Sequence, residues 1–424
     1  MTDAKREGVY DVRAVYGGGN LAAYKPVGPD PSETSDDGQN TTYSTNVIID
    51  GCGLTSIQTV YGGGNAASTP ATSVTVNGTS EIEEVFGGGN GKDAIGKDAQ
   101  GHDIPNPGAN VGYYDYSAVE STYPTKEDRL ETAFTSKYVY GTGAASVNIF
   151  GGTIHRVFGG SNTKGNVRQS AITMLEDAES CRFCVDEAYG GGKSAPMDAE
   201  AKLLMSCIPG LKEVYGGAEA ADVYDDVSLT ITNGTFDRVF GGNNLSGTIR
   251  GSITVTIEET GCRPVIIGEL YGGGNLAGYS VYGYNSDKSL KESGTQIYAD
   301  PQVNVKSFTS IGNIYGGGYG AGATMVANPT VNVNVSNGKF YDYNVSVVGE
   351  NSETPNHYPI PSHAKGKIGA IYNVFGGGNA AKVIGNTRVN IGTVDKTGAD
   401  IRGNVYGGGN NAEVKGNTEV QIGQ

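Results

Sequence analysis

Short stretches of strict apolar–polar alternation recur along the chain: Val74-Thr-Val, Leu229-Thr-Ile, Ile253-Thr-Val-Thr-Ile, Val331-Asn-Val-Asn-Val and Val389-Asn-Ile. Alternation with β-branched residues predicts strands with one buried and one wet face. Between them a second pattern repeats, an aliphatic residue, an aromatic and then glycines, most often Val-Tyr-Gly-Gly-Gly-Asn or Val-Phe-Gly-Gly-Gly-Asn. Its aromatics are Tyr16, Tyr61, Phe86, Tyr140, Phe158, Tyr189, Tyr215, Phe240, Tyr271, Tyr315, Phe375 and Tyr406. Gly-Asn and Asn-Gly steps flank the strands and read as turns.

Close copies such as Tyr61 and Phe86, or Tyr215 and Phe240, are separated by a unit of roughly 25 residues, the length of one turn of a three-sided β-solenoid. The expected fold is therefore all-β: a parallel β-helix, three-sided and right-handed, with loop insertions. One solenoid is expected to run through residues 1–424. In a solenoid each position stacks on its equivalent one coil away, so a corner needing a positive φ or a close backbone approach needs it on every coil. That accounts for 68 glycines. The Asn ending the motif (Asn20, Asn65, Asn90, Asn275, Asn379, Asn410) suits a left-handed backbone or a ladder of stacked amides. Calcium-binding glycine repeats carry an Asp after the glycines, and this motif does not.

Four stretches interrupt the repeat, at about 21–46, 91–137, 276–300 and 340–370, rich in Pro, Asp, Ser and Tyr. They are expected as surface loops, with short helices at 125–136 and from Met197 to Ser206, where good helix formers follow Pro196.

Composition narrows the function. Hydrophobic residues make up 37% of the chain, which fits a thin solenoid with Gly and Asn corners. The net charge is -15 with no basic stripe, which argues against nucleic acid and against anionic membranes as partners. No apolar run is long enough to span a bilayer. The start, Met1-Thr-Asp-Ala-Lys-Arg, has no apolar leader. The repeat is already under way at Tyr16 and stops in mid-pattern at Val420-Gln-Ile-Gly-Gln, so a piece of a longer protein is expected.

Cysteines stand at similar steps before the repeat aromatic. Cys181 and Cys207 precede it by the same offset, Cys52 and Cys262 by one residue more, and Cys184 is out of step. A Cys181–Cys207 bridge across adjacent coils is one reading. Buried free thiols, or a zinc site of Cys181, Cys184, Cys207 and Cys262, are the others.

Little chemistry is left over. Gly190-Gly-Gly-Lys193-Ser194 resembles the end of a phosphate loop but has Glu187 where the earlier glycine belongs. Gly318-Tyr-Gly-Ala-Gly-Ala323 matches a dinucleotide fingerprint only by letters. Two residues before the aromatic lie Glu84, Arg156, Glu187, Glu213, Arg238 and Glu269, a row whose opposite charges would stabilise a sheet face. Its like-charged neighbours, Glu187 and Glu213, are the only catalytic candidates, as a carboxylate pair with one raised pKa. Tyrosines crowd the insertions, among them Tyr113, Tyr114, Tyr116, Tyr279, Tyr282 and Tyr284. A flat ring with a polar tip suits sugars and protein surfaces, or pins a loop. None of the four histidines has metal-ligand spacing, and no metal or cofactor is assigned.

The Val-Tyr-Gly-Gly-Gly-Asn ladder, with Glu269-Leu-Tyr-Gly-Gly-Gly-Asn-Leu-Ala and Val239-Phe-Gly-Gly-Asn-Asn, resembles glycine-rich repeat proteins of the cell surface of Bacteroidetes-type gut bacteria. The resemblance covers nearly all of the chain outside the insertions. It implies an exported β-solenoid, extracellular or at the cell surface, and carries no catalytic motif. The leading expectation is an adhesin-like module whose Tyr-rich loops bind a glycan or a surface protein. The alternatives are a lyase or glycosidase on the same solenoid and a purely structural stalk. Mere membership of the solenoid shape decides none of these.

Overall fold

The computed structural model describes residues 10–24, 43–112, 142–179, 181–335, 369–392 and 399–423. Among them all regular structure is β-strand and no helix is present. The long sheets are parallel and open, as in a parallel β-helix. Two compact units are distinguished. The first is Met1–Val185 with Tyr189–Lys202 and Ala218–Asp226, and the second is Asp186–Ala188 with Leu203–Gly217 and Val227–Gln424.

In the first unit, strands ending on the repeat aromatic pair in parallel in the order Tyr10–Tyr16, Thr55–Tyr61, Glu81–Phe86, Gly152–Phe158. The alternating strands form a second sheet, Thr45–Asp50, Thr72–Gly78, Ala144–Ile149, Ser170–Glu176. A third side is reduced to single bridges, Thr69 to Val111, Val111 to Val167 and Met197 to Val223. Their apolar residues, such as Val74, Ile82, Val147 and Ile154, are fully buried in the space between the sides.

The second unit repeats the plan. Gly210–Tyr215, Gly234–Phe240, Val265–Tyr271, Ser310–Tyr315 and Gly369–Phe375 form the ring-bearing sheet. Val227–Ile231, Ile253–Glu258, Gln302–Ser307, Thr330–Val333, Thr387–Ile391 and Thr418–Ile422 form the alternating one. The third side here carries true short strands, Tyr279–Ser280, Met325–Val326 and Val383–Ile384.

The repeat aromatics stack face to face. In the first unit, Tyr16, Tyr61, Phe86, Phe158 and Tyr189 follow one another with centroids 4.9, 5.1, 4.9 and 4.7 Å apart. In the second, Tyr215, Phe240, Tyr271, Tyr315, Phe375 and Tyr406 stack at 4.7 to 5.0 Å. The spacing is that of adjacent strands, so identical registers bring rings into contact on every coil. Each such pair contributes roughly 0.5–1.5 kcal/mol beyond area burial. Tyr140, counted with the repeat from sequence, lies outside the described residues, and Phe86 stacks directly on Phe158.

The glycine after the ring is required by close approach. A methyl on Gly62 would run into the carbonyl oxygen of Gly87, and one on Gly272 into that of Gly316. Neither these glycines nor Asn20, Asn65, Asn90, Asn275, Asn379 or Asn410 has a positive φ. The left-handed reading of the motif is thereby corrected, and the amide ladder remains.

Two further expectations are corrected. Met197 forms a bridge and Glu200–Ser206 is a strand. Ala199, Ala201, Leu203 and Met205 alternate inward and are buried, so the period of two outweighs the helix propensity of the individual residues. The cysteines pair as Cys52–Cys181 and Cys207–Cys262, with Cα atoms 5.8 and 5.5 Å apart, and Cys184 is free. No Cys181–Cys207 bridge and no four-cysteine zinc site form. The first bridge crosses Gly78, where a side chain would collide with both sulfurs, and Gly151, where one would press on Cys181. Counting only adjacent coils could not reveal a bridge that passes over glycines. The helix expected at 125–136 lies outside the described residues.

Near the 91–137 insertion, Gly112 and Gly143 flank residues 113–141, which lie outside the described residues. These two glycines donate backbone hydrogen bonds to the carbonyls of adjacent residues, Thr69 and Pro70, and a methyl on Gly112 would touch Gly143 Cα.

Candidate binding groove

Two rows flank each aromatic ladder. One stands two residues before the ring and the other four after it. Both follow from the fixed register, because a residue at a constant offset recurs at the same height on each coil.

In the first unit the second row is an amide ladder. Asn65 Nδ2 donates to Asn20 Oδ1 at 2.8 Å, Asn90 to Asn65 at 2.9 Å and Asn162 to Asn90 at 3.0 Å. The same amides reach down to the phenols. Asn90 Nδ2 donates to Tyr16 Oη at 3.2 Å and Asn162 Nδ2 to Tyr61 Oη at 3.1 Å. Asn90 and Asn162 are buried, and these bonds satisfy groups that would otherwise be costly to desolvate.

Further along, charges replace amides. Arg156 pairs with Glu84 and donates to Glu219 at 3.0 Å, and Lys193 reaches Glu84 at 2.7 Å. Arg156 also lies over the Phe158 ring, 5.7 Å from its centroid. Two cations thus meet two carboxylates. Burial of such a set is tolerable only because it is complete. Lys193, singled out from sequence in a phosphate-loop context, is part of this ion-pair network.

The rows open into a cavity of about 410 Å³ whose floor is Tyr16 and Tyr61 and whose rim is Arg13, Gln58, Lys92 and Asp93. Arg13 and Asp93 are 3.8 Å apart and mostly exposed, so that pair contributes little to stability.

The second unit carries the same arrangement. Arg238 pairs with Glu213 and lies over both Phe240 and Tyr319, at 5.8 and 5.7 Å. Tyr215 Oη donates to Glu213 Oε2 at 2.6 Å, and Tyr271 Oη to Glu269 Oε2 at 3.0 Å. Asn275 donates to Asn244 at 2.9 Å and Asn379 to Tyr271 Oη at 3.2 Å. Of the catalytic candidates, Glu213 is therefore engaged by a guanidinium and a phenol. Glu187 is half-buried at the same step of its own strand.

Burial pushes the ladder phenols up. Tyr61 and Tyr315 are each raised from 10.0 to about 12, and Tyr16 and Tyr271 are raised as well, all mainly by desolvation. A raised folded-state pKa stabilises the fold below the unfolded value and loses that contribution as pH rises through the folded value. Denaturant midpoints should hold up to about pH 10 and then fall towards pH 12, followed by urea titrations across that range. A flat profile would show that these phenols ionise without opening the coil.

The tyrosine candidates divide. Tyr113, Tyr114 and Tyr116 lie outside the described residues. Tyr279 is 2% exposed and donates to the carbonyls of Gly251 and Ala299 at 2.8 and 3.3 Å. Tyr284 Oη donates to Ile249 O at 3.0 Å and accepts from Ile249 N at 3.1 Å. These two rings pin the 276–300 insertion to the coil. Tyr282 is half-buried.

Sequence reading found the charge row and the terminal asparagines separately. It missed that the two rows meet beside the rings, although their constant offsets from the same ring carry that signal.

No known protein family, no curated protein and no solved structure matches this chain.

Proposed function

We propose that this chain is an exported, cell-surface β-solenoid module, adhesin-like, that binds an extended glycan along the groove. The observation that carries this reading is the periodicity of the walls. Apart from Ala14 on the first coil, every described coil presents a hydrogen-bonding or charged side chain at the same two offsets, matching a polymer that repeats its hydroxyls along its length. The two disulfides support an oxidising compartment, and the resemblance to glycine-rich surface repeats points the same way. Tyr282, half-buried in the 276–300 loop, is a contact candidate on the second unit. No helix among the described residues is long and apolar enough to cross a membrane.

The test is native electrophoresis through gels cast with host and plant polysaccharides, followed by polymer staining. Retarded migration over intact polymer is expected. Arg13→Glu combined with Gln58→Ala, both at the rim of the groove, should abolish most of it. A cleared zone lost in a Glu187→Gln, Glu213→Gln variant would replace this reading with a polysaccharide-degrading enzyme. Unchanged mobility in every gel would favour a structural stalk.

A further inference from the structure

Outside the groove, two neighbouring strands of the first unit bring together three metal-ligating side chains. Glu81 and Glu83 stand two apart on Glu81–Phe86, so both face outward. His155 stands on Gly152–Phe158. The strand register pairs Ile82 with Ile154 and Glu84 with Arg156, which sets Glu83 beside His155. One ligand atom from each of the three lies within 4.8 Å of the other two. His155 Nε2 and Glu81 Oε1 are 3.3 Å apart.

That separation has a second meaning besides a long hydrogen bond. A tetrahedral zinc ion with ligands at about 2.0–2.2 Å has ligand–ligand edges of roughly 3.3–3.6 Å. The imidazole and the first carboxylate are thus already placed at one edge of such a tetrahedron. Glu83 is exposed, and one of its carboxylate oxygens already lies within 4.8 Å of the other two ligand atoms. The frame behind them is rigid, since Ile82 and Ile154 are fully buried between the sheets. A neutral imidazole with two carboxylates suits borderline divalent ions, while calcium and magnesium favour all-oxygen shells.

We infer that Glu81, Glu83 and His155 form a zinc-class divalent cation site on the outer face of the ring-bearing sheet, with a fourth position open to water. The ion would tie two coils whose sequences lie about seventy residues apart. Their ligands are 74 positions apart from Glu81 to His155, which is why no local motif announced them.

The test is calorimetric titration of the full chain with Zn²⁺, Mn²⁺ and Ca²⁺, in a Cys184→Ser background that removes the free thiol as a competing ligand. One Zn²⁺ per chain is expected, with weaker Mn²⁺ binding and no measurable Ca²⁺ binding. His155→Ala and Glu81→Gln should each weaken Zn²⁺ binding at least tenfold. Replacing His102, His357 and His363 together by Ala should leave it unchanged. Zn²⁺ should raise the thermal midpoint and a chelator should reverse the rise. If His155→Ala lowers the metal-free midpoint, the exposed Glu83→Gln reads the same loss without disturbing packing. No saturable Zn²⁺ binding by the parent chain, or equal affinity in His155→Ala and Glu83→Gln, would overturn the site.

Discussion

Replacing Phe240 by Ala should destabilise the chain by about 3–5 kcal/mol, the usual cost of deleting a fully buried ring. Phe240 has no exposed surface. It is stacked between Tyr215 at 5.0 Å and Tyr271 at 4.8 Å, and Arg238 lies over it. Truncation therefore empties a cavity, breaks two stacking contacts and unseats a guanidinium. A solenoid is held by nearest-neighbour terms, so the damage should concentrate in the adjacent coils. The measurement is denaturant unfolding together with hydrogen exchange. A lower midpoint with protection lost in Val227–Ile231, Gly234–Phe240 and Val265–Tyr271 is expected. Phe240→Tyr should cost less than about 1 kcal/mol, because volume is nearly conserved and tyrosines hold the equivalent place on both neighbours. Similar losses in the Ala and Tyr variants would mean that the ring stack is not what holds these coils.

Reducing the disulfides should be the second large effect, at about 2–5 kcal/mol for each bridge. Cys52–Cys181 closes a span of 129 residues and Cys207–Cys262 one of 55. In the chain-entropy account the longer loop stabilises more, here by under about 1 kcal/mol. Urea unfolding of Cys52→Ser/Cys181→Ser and Cys207→Ser/Cys262→Ser variants, beside the reduced parent, measures both terms. A parent whose midpoint is indifferent to reductant would show that packing alone carries the fold. It would also remove the support that the bridges give to an exported location.

The architecture was legible because its signals repeat. Val74-Thr-Val, Leu229-Thr-Ile, Ile253-Thr-Val-Thr-Ile, Val331-Asn-Val and Val389-Asn-Ile all lie in the alternating sheets. The aromatic step ends every ring-bearing strand of full length. Signals that depended on a single residue's preference misled. Ala, Leu and Met between 199 and 205 prefer helix in isolation, yet buried alternation decided a strand. Asn and Gly at the corner suggested positive φ, whereas contact between successive carbonyls and glycines is the actual constraint. Cysteine offsets located the right side of the coil but not the pairing, since the Cys52–Cys181 bridge passes over Gly78 and Gly151.

The site was less legible for a related reason. The charge row at Glu84, Arg156, Arg238 and Glu269 was visible, because each lies two residues before a ring. Seeing that it faces the amide ladder needs the coil's cross-section, which letters do not contain. Tyr279 and Tyr284 looked like contacts because they sit in an insertion. Their hydroxyls instead bond to backbone carbonyls of the coil, something only the folded path of that loop could disclose. Glu81, Glu83 and His155 meet only because Phe86 and Phe158 are stacking partners despite the long intervening segment.

The pairing of Gly112 with Gly143 gives this scaffold the character of a socket. Gly112 and Gly143 lie at almost one point, held by hydrogen bonds to the carbonyls of Thr69 and Pro70. Closing a loop whose ends already touch depends only weakly on how many residues lie between them. Whatever occupies that span can grow, shrink or be exchanged for a whole folded passenger while the rings at Phe86 and Phe158 stay in register. Length and sequence in that span are thereby uncoupled from the stability of the coil.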